Sequence, residues 1–319
     1  SSAASDVYKR QGGRTIALMK QFDPKEWMEF VQRVKPDRAM LVPTMLKKII
    51  DDPDFHKYDL SSLKVITYGG AAMPFEVIKK AIELFPNTMF INAYGQTETT
   101  STIAALGPED HRITPDMPEE EREKKLRRLR SSIGRPLPDV EVKVIDEEGR
   151  ELPPGEVGEI VARGPRIMKG YWGDEEKTKK ALTPDGWLRT GDRGYMDEEG
   201  YIYLVGRADD LIKRGGEFVS PDEVESLLYS HPKVAEAAVI GVPDEEWGQE
   251  VKAIVVLKPG ETATPEEIID WCRGKIAGFK RPRAVVFVDE LPKTSTGKVL
   301  RRVLREKYGD PIPPDKKIN

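Results

Sequence analysis

Hydrophobic and polar positions near the start of the chain predict an amphipathic helix. Trp27, Phe30, Val31 and Val34 recur at helical spacing, so they would form one apolar face. The preceding sequence Asp-Pro-Lys-Glu, at positions 23–26, combines an N-cap residue, a first-turn proline and a capping-box glutamate. These signals predict that the helix begins directly after Asp23.

A strand–helix–strand unit comes next along the chain. Residues 63–68 and 89–93 are apolar runs of strand length, and residues 74–84 between them carry apolar side chains at helical spacing. Two strands joined through a helix pair in parallel, with a right-handed crossover. Residues 69–71 and 94–98 follow the carboxyl ends of these strands, which is the edge where open α/β sheets bind ligands.

The pattern becomes short and turn-rich beyond residue 131. Residues 140–145, 157–162 and 201–205 predict strands between Glu-Gly, Pro-Gly and Asp-Gly turns, and hence a small antiparallel sheet or distorted barrel packed on the parallel sheet. The charged segment 119–130 predicts a solvated helix or a mobile loop, and we assign it no function.

A second module is predicted after residue 207. Capping sequences at 220–223 and 264–267 begin two helices, and apolar runs at 234–240, 251–257 and 284–288 predict strands. The fold class is therefore α/β, followed by a small α+β domain. The predicted organisation is a partial large domain at 12–206, with a β subdomain from about 131, a hinge at 207–210 and a small C-terminal domain at 211–319.

Composition narrows the class of protein. The chain has 319 residues, 38% of them hydrophobic and 33% charged, with a net charge of −4, so it has no basic surplus for nucleic acid. The single cysteine, Cys272, excludes an internal disulfide framework and fits a reducing cytoplasm; its helical context predicts a core residue. No apolar run approaches the ~20 residues that cross a bilayer. Peripheral membrane contact and oligomeric state are left open.

The first eleven residues differ in character from the rest of the chain. Ser1–Gln11 lacks the apolar core of a signal peptide and matches the translation of a transposon-type sequencing adapter. We expect it to be an artefact and the chain to be a fragment of a longer protein.

The sequence Tyr94-Gly95-Gln96-Thr97-Glu98 is the first chemical candidate. An aromatic ring after a strand can stack on a purine, and Gly95 lets the backbone approach a ligand. Thr97 offers a hydroxyl to a phosphate, and Glu98 offers Mg²⁺ a hard oxygen ligand beside substrate phosphates. The alternative is an ordinary strand exit with polar surface residues.

Three charged residues are further candidates for contacts with a ribose or a phosphate. Asp192, in a Thr-Gly-Asp sequence interpreted as a turn, could accept two hydrogen bonds from a ribose diol. Arg207 could donate to ribose or phosphate oxygens, or it could form a linker ion pair. Lys298, in a Thr-Ser-Thr-Gly-Lys turn, could neutralise charge that develops on a phosphate.

Lys298 does not belong to a phosphate-binding P-loop. That motif requires glycine where Pro292 stands and serine or threonine where Val299 stands. A kinase or P-loop ATPase is therefore disfavoured.

Taken together and in this order, the motifs resemble those of the adenylate-forming enzymes, which include acyl-CoA synthetases. The resemblance implies that Tyr94, Gly95, Gln96, Asp192 and Arg207 bind nucleotide, and that Thr97, Glu98 and Lys298 serve catalysis. It also implies the remaining candidates, namely the nucleotide-side residues Gly69, Gly70 and Ala71, the hinge residue Asp209, and the CoA-side glycines Gly215 and Gly216. The family's upstream phosphate loop, which ends in Pro-Lys, is not found in this chain.

The resemblance implies an ATP-dependent carboxylate–CoA ligase, acting on a fatty or other hydrophobic acid, that forms an acyl-adenylate. Its expected cofactors and partners are ATP, Mg²⁺, coenzyme A and a carboxylic acid. Two alternatives stay open: an adenylation domain that loads a carrier protein, and a nucleotide-binding fragment without activity. We expect the 319-residue chain alone to be inactive.

Overall fold

A computed structural model describes residues 13–294 and 297–318, which divide into two compact units. The first unit runs to Met73 and from Val77 to Val205, and the second comprises Pro74–Glu76 and the chain from Gly206 onward. Ser1–Gln11, Ser295 and Thr296 lie outside the described residues. None of the described helices is both long and apolar enough to cross a membrane.

The described residues form helices in both units. These helices are α1 (Pro24–Val34), α2 (Pro43–Ile50), α3 (Phe75–Leu84), α4 (Pro108–His111), α5 (Glu119–Ser131), α6 (Glu175–Ala181), α7 (Pro221–Tyr229), α8 (Pro265–Trp271) and α9 (Arg301–Tyr308).

Capping residues set the starts of three helices as predicted. Asp23 Oδ1 accepts the amide hydrogens of Lys25 and Glu26 at the start of α1. Ser220 and Thr264 cap α7 and α8 in the same way. The predicted apolar face of α1 needs one correction. Met28 is buried with Trp27 and Val31, whereas Val34 is 43% exposed, next to the C-cap residue Lys35 in its left-handed conformation.

The strands form one sheet in each unit. They are β1 (Arg38–Leu41), β2 (Val65–Gly69), β3 (Met89–Gln96), β4 (Ser101–Leu106), β5 (Ser132–Pro136), β6 (Glu141–Ile145), β7 (Gly158–Arg163), β8 (Leu188–Met196), β9 (Ile202–Arg207), β10 (Ile212–Arg214), β11 (Glu217–Val219), β12 (Val234–Asp244), β13 (Gly248–Leu257) and β14 (Ala284–Phe287).

The sheet of the first unit has nine strands in the order β1-β2-β3-β4-β5-β9-β8-β7-β6. Strands β1, β2 and β3 are parallel, as the strand–helix–strand pattern predicts. Strands β4 and β5 are not predicted by the sequence pattern. They pair antiparallel and join the parallel part to the antiparallel part. The antiparallel strands therefore continue the same sheet edge to edge, rather than forming a separate sheet packed on it.

The second unit is an α+β fold, as predicted. Its sheet has the order β11-β10-β13-β12, with β14 parallel to β13. Successive side chains of β12 point to opposite faces of the sheet and pack in different hydrophobic clusters. Val239 packs in the cluster that contains Val224 of α7 and Cys272, and Ile240 packs in the cluster that contains Leu304 of α9. Cys272 is fully buried, and burial raises its pKa to about 11, in keeping with a core residue.

The charged segment after residue 118 is helix α5, held by a buried arginine. Arg128 is 9% exposed; it donates to Asp110 at 3.0 Å and to Glu199 at 2.5 Å. Its guanidinium also lies 3.7 Å from the centre of the Tyr201 ring. The helix is thus attached to α4 and to the turn that precedes β9, and it is not a mobile loop.

Candidate functional site

The motif that begins at Tyr94 lies further inside the sheet than predicted. Strand β3 continues through Gln96, so Tyr94, Gly95 and Gln96 belong to the strand and do not follow it. The strand is extended because β4 returns at once and pairs Gln96 with Ser101. Only Thr97–Thr99 form a 3₁₀ turn. The sequence signal for the strand is hidden by the glycine and polar residues of the motif itself.

Gly95 is required by the chain's own backbone. A Cβ at this position would lie 1.6 Å from the carbonyl oxygen of Ser101, a distance that no side chain can occupy. At the adjacent strand end, a Cβ on Gly69 would lie 2.3 Å from the carbonyl oxygen of Ala93, and Gly70 has a φ of +83°. These contacts account for the glycines without a ligand, and their roles in nucleotide binding stay predictions.

Thr99 fixes the turn that presents Thr97 and Glu98. Its hydroxyl is fully buried, accepts the amide hydrogen of Gln96 at 2.8 Å and lies 2.7 Å from the carbonyl oxygen of Ser101. This leaves Thr97 exposed and Glu98 half-buried. Sequence reasoning missed Thr99, because a second threonine after the motif carries no signal until the turn closes.

Asp192 lies in a β-bulge, and the prediction of a turn at Thr190-Gly191-Asp192 is wrong. Glu159 pairs with Arg193 and Val161 pairs with Arg189, so residues 190–192 of β8 lie opposite a single residue of β7. Gly191 has the left-handed φ of +70° that lets the strand bulge. The Thr190 hydroxyl donates to the Ile160 carbonyl oxygen at 2.6 Å and accepts the Asp192 amide hydrogen at 3.1 Å.

The bulge brings Asp192 to the β3 motif, 98 residues away in sequence. Asp192 Oδ2 accepts hydrogen bonds from Tyr94 Oη at 2.5 Å and from Gln96 Nε2 at 3.0 Å. Gln96 Nε2 also donates to the Thr190 carbonyl oxygen at 2.8 Å. Asp192 is only 6% exposed, so these donors compensate the loss of water around its carboxylate. Tyr94, Gln96, Thr190 and Asp192 together form what we call the Asp192 cluster.

Glu98 has its own support. Tyr171 Oη donates to Glu98 Oε1 at 2.8 Å, and the Glu98 carbonyl oxygen accepts the amide hydrogen of Met168 at 2.8 Å. Burial, and then the hydrogen bond to Glu98, raise the pKa of Tyr171, which keeps its hydroxyl a donor. No local pattern selects Tyr171 within the glycine-rich segment 155–173. Three-dimensional contact identifies it.

Glu98 is the residue that the sequence assigns to a metal ion. Among the described residues, no group of three or more His, Cys, Asp or Glu side chains is placed to hold a metal. Mg²⁺ commonly binds through one or two carboxylates together with substrate phosphates and water. The half-buried Glu98 fits that mode of binding.

Arg207 and Asp209 lie in the second unit at the end of β9. The Arg207 carbonyl oxygen accepts the amide hydrogens of Asp210 and Leu211 at 3.0 and 2.9 Å, which turns the chain after the strand. Gly215 and Gly216, with φ of +58° and +88°, form the two-residue turn between β10 and β11. A Cβ on Gly215 would lie 2.8 Å from the Trp247 ring, whereas a Cβ on Gly216 would have nothing within 4 Å, so the turn is closely packed at Gly215 alone.

Lys298 lies in a short hairpin before α9. The Thr294 amide donates to the Lys298 carbonyl oxygen at 2.8 Å, and the Lys298 amide donates to Thr294 Oγ1 at 3.1 Å. The Lys298 side chain is exposed, and within residues 13–294 and 297–318 it forms no ion pair. The backbone is therefore fixed while the ammonium group is uncommitted.

Curated proteins are similar in sequence to most of this chain. The putative acyl-CoA synthetase YngI of Bacillus subtilis is 39% identical over 92% of this chain and 51% of its own length. The fatty acid–[acyl-carrier-protein] ligase ScoC of Streptomyces coeruleorubidus is 37% identical over 93% of this chain and 54% of its own. The chain therefore spans about half the length of the curated relatives it matches.

A solved structure agrees in fold. The anthranilate CoA ligase AuaEII in complex with anthranoyl-AMP superposes with a TM-score of 0.80 and 34% identity, covering 92% of this chain and 55% of that one. The family model described as AMP-binding enzyme matches residues 10–172, and its C-terminal domain model matches residues 223–298. The chain belongs to the AMP-binding enzyme family, whose matched members include acyl-CoA and acyl-carrier-protein ligases.

Proposed function

We propose that this chain is the C-terminal part of an ATP-dependent carboxylate–CoA ligase that acts through an acyl-adenylate. Family membership and the synthetases among its relatives support the general class. The observation that carries the proposal is the Asp192 cluster. A buried carboxylate is held by Tyr94 and Gln96, and Glu98 follows Gln96 by two residues, so the segment combines the groups that a ribose, a purine and a metal-bound phosphate require.

In the first half-reaction, a substrate carboxylate oxygen attacks the α-phosphorus of ATP. The new carboxyl–phosphate bond forms as the bond between the α- and β-phosphates breaks, and pyrophosphate leaves. Asp192 would hold the ribose hydroxyls and Tyr94 would stack on adenine, beside Gly69, Gly70 and Ala71. Thr97 would donate to phosphate, and Glu98 would hold Mg²⁺, which neutralises phosphate charge.

Charge that develops on the α-phosphate would be neutralised by Lys298. An ammonium group with no ion pair among the described residues suits this role, because none of those pairs is lost when it reaches the phosphate. Arg207 would donate to ribose or phosphate oxygens. Both residues belong to the second unit, so the proposal requires that unit to move during the cycle, with Asp209 as the hinge.

In the second half-reaction, a thiol sulfur attacks the activated carbonyl. A carbon–sulfur bond forms, the carbon–oxygen bond to phosphate breaks, AMP leaves and the thiol proton passes to solvent. The turn at Gly215 and Gly216 would border the pantetheine arm of CoA. We favour CoA as the acceptor and a fatty or other hydrophobic acid as substrate, in a cytoplasmic enzyme.

A carrier-protein thiol is the second candidate acceptor. The similarity to ScoC, named a fatty acid–[acyl-carrier-protein] ligase, is the reason for keeping this alternative to CoA. A nucleotide-binding fragment without catalysis is the third possibility, and it describes what we expect of the 319-residue chain by itself. CoA-dependent AMP production by this chain alone would contradict that expectation.

The decisive experiment measures AMP release by the protein extended upstream to the length of its relatives. Short, long and aromatic carboxylates are supplied with CoA, with a phosphopantetheinylated carrier protein, or with neither. We expect CoA-dependent AMP release with hydrophobic acids. Acid-dependent pyrophosphate exchange with turnover only on carrier protein would replace CoA as the acceptor. An enzyme that binds ATP but forms no acyl-adenylate with any acid would contradict the ligase.

A further inference from the structure

The predicted hinge segment contacts helix α9 through Asp209 and Asp210. Arg305 Nη2 donates to the carbonyl oxygen of Asp209 at 3.2 Å and forms an ion pair with Asp210 Oδ1. Arg301 Nη1 lies 3.5 Å from Asp210 Oδ2. Two arginines, one helical turn apart, thus hold the segment from the Asp209 carbonyl group onward.

Arg301 extends this contact deep into the second unit. Its Nη2 atom is 2.6 Å from Asp222 Oδ1 and 2.8 Å from both carboxylate oxygens of Glu225. Glu225 Oε1 in turn accepts the amide hydrogen of Val239 at 2.8 Å. The Arg301 side chain is 16% exposed, so these charge-assisted hydrogen bonds are shielded from water. They connect the hinge segment with α7 and β12.

The same helix carries the hairpin of Lys298. The Leu300 amide donates to the Pro292 carbonyl oxygen at 2.9 Å, which closes the base of the hairpin immediately before α9. Lys298 is three residues before Arg301 in sequence. The hinge segment and the lysine are therefore attached to the same short helix.

We propose that Arg301 and Arg305 are positioning residues that set the C-terminal limit of the hinge at Asp209. Because the Asp209 carbonyl group is held to α9, rotation would be confined to the torsions of Asp209 and of the residues before it. Everything after that carbonyl, including Lys298, would turn as one body. This inference rests on the proposed ligase cycle, in which placement of Lys298 determines the rate of adenylation.

The first test uses the 319-residue chain and needs no activity. Hydrogen exchange is measured at the amides of Asp210 and Leu211, which donate to the Arg207 carbonyl oxygen. We expect Arg305→Gln to speed this exchange about two- to fivefold, in keeping with the loss of a partly exposed ion pair. Asp210→Asn should act similarly, and the double variant should add little.

The matched control is Arg302→Gln. Arg302 lies in the same helix, its side chain is 79% exposed and it pairs with Glu306. We expect no change at Asp210 or Leu211 in this variant. Two results would overturn the proposal: unchanged exchange in Arg305→Gln, or an equal increase throughout β12 and β13, which would make Arg305 a general stabiliser of the unit.

The second test measures both half-reactions in the extended protein. We expect Arg305→Gln to lower the rate of each half-reaction about tenfold, because the second unit would be positioned less precisely in both of them. The KM for ATP should change little, because the proposed nucleotide-binding residues are intact. Wild-type rates in both half-reactions would overturn the proposal. If the wild-type protein forms no acyl-adenylate, the ligase proposal fails, whereas the exchange result still decides whether the arginines fix the segment.

Discussion

The carboxylates of the first unit and Lys298 of the second unit are held in opposite ways. In the first unit, Asp192 Oδ2 accepts two hydrogen bonds and Glu98 accepts one from Tyr171. In the second unit, the Lys298 ammonium group is exposed and has no ion-pair partner among the residues that the structure describes. One set of groups is arranged before any ligand arrives, whereas the other side chain is left uncommitted.

This difference suits the two tasks that we propose. A group that binds the nucleotide through the whole cycle gains from being held in advance, since no ordering is required at binding. A charge that acts in one transition state and is then withdrawn gains from having no competing partner. Substitutions on each side of this comparison can test it.

The largest expected effect concerns the rigidity of the first unit. Gly95→Ala would place a Cβ 1.6 Å from the Ser101 carbonyl oxygen, so β3 and β4 would have to separate. We expect a loss of about 3 kcal/mol or more in the free energy of unfolding. Thermal unfolding and hydrogen exchange of β3 and β4 would measure it.

Gly149→Ala is the control for that substitution. Gly149 has a φ of +83°, but a Cβ there would have nothing within 4 Å. The cost should be only about 1–2 kcal/mol, from backbone conformation alone. Equal destabilisation by the two substitutions would contradict the view that the β3 motif is sterically fixed.

The second-largest effect is expected for Lys298, on the rate of acyl-adenylate formation. In the extended protein, Lys298→Ala should slow acyl-adenylate formation about 100- to 1,000-fold, the range expected when a group that stabilises transition-state charge is removed. Thioester formation from supplied acyl-adenylate should fall far less. The free energy of unfolding should not change, because the side chain is exposed and has no ion-pair partner in the described part of the chain.

Lys307→Ala, which removes another exposed lysine of the second unit, should leave both half-reactions near the wild-type rate. Rapid-quench measurement of each half-reaction separates the outcomes. An equal loss in both half-reactions of Lys298→Ala would count against its assigned role.

Local signals in the sequence account for much of the fold. The caps at Asp23, Ser220 and Thr264 can be recognised from neighbouring residues, and the strand–helix–strand unit is predicted by periodicity. The sequence pattern does not predict strands β4 and β5, because they are defined by pairing across the sheet. Neither carries a long alternating pattern of its own.

In the candidate site too, the sequence predicts some features and only the structure shows the others. The order of the motifs was enough to select Tyr94, Asp192 and Lys298. It could not show that Tyr94 donates to Asp192 across 98 positions, or that Tyr171 supports Glu98. The bulge at Asp192 also depends on β7, since a Thr-Gly-Asp sequence alone is equally typical of a turn.

The third prediction tests the support beneath the Gly69–Gly70 edge. Tyr68 Oη lies 2.7 Å from His111 Nε2, and His111 Nδ1 lies 2.7 Å from the Gly107 carbonyl oxygen. Burial lowers the pKa of His111 to about 4, so the folded ring is neutral and Nδ1 donates to Gly107. An unfolded histidine titrates near about 6.5. Stability should therefore be complete above this value and should fall as the pH drops from about 6.5 to 4, by up to about 3 kcal/mol.

Hydrogen exchange of strand β2 between pH 4 and 7 measures this loss, after correction for intrinsic exchange rates. His111→Asn, which keeps a donor for Gly107, should flatten the pH dependence. His56→Gln, which alters an exposed histidine of the same unit, should leave it unchanged. A pH dependence that persists in His111→Asn would assign the loss to other groups.

The smallest expected effect, and the most direct test of preorganisation, is Asp192→Asn. The amide keeps the size of the side chain but removes the charge that the ribose hydroxyls would meet. We expect nucleotide affinity to fall about tenfold to a hundredfold, the range for hydrogen bonds to a charged group.

Glu159→Gln is the control, since Glu159 is a carboxylate of adjacent strand β7 that pairs with Arg189 at 2.9 Å. Titration calorimetry with AMP would compare the two variants in the extended protein. If both bind AMP as the wild type does, the hydrogen bonds to Asp192 hold the sheet together and do not prepare it for a nucleotide.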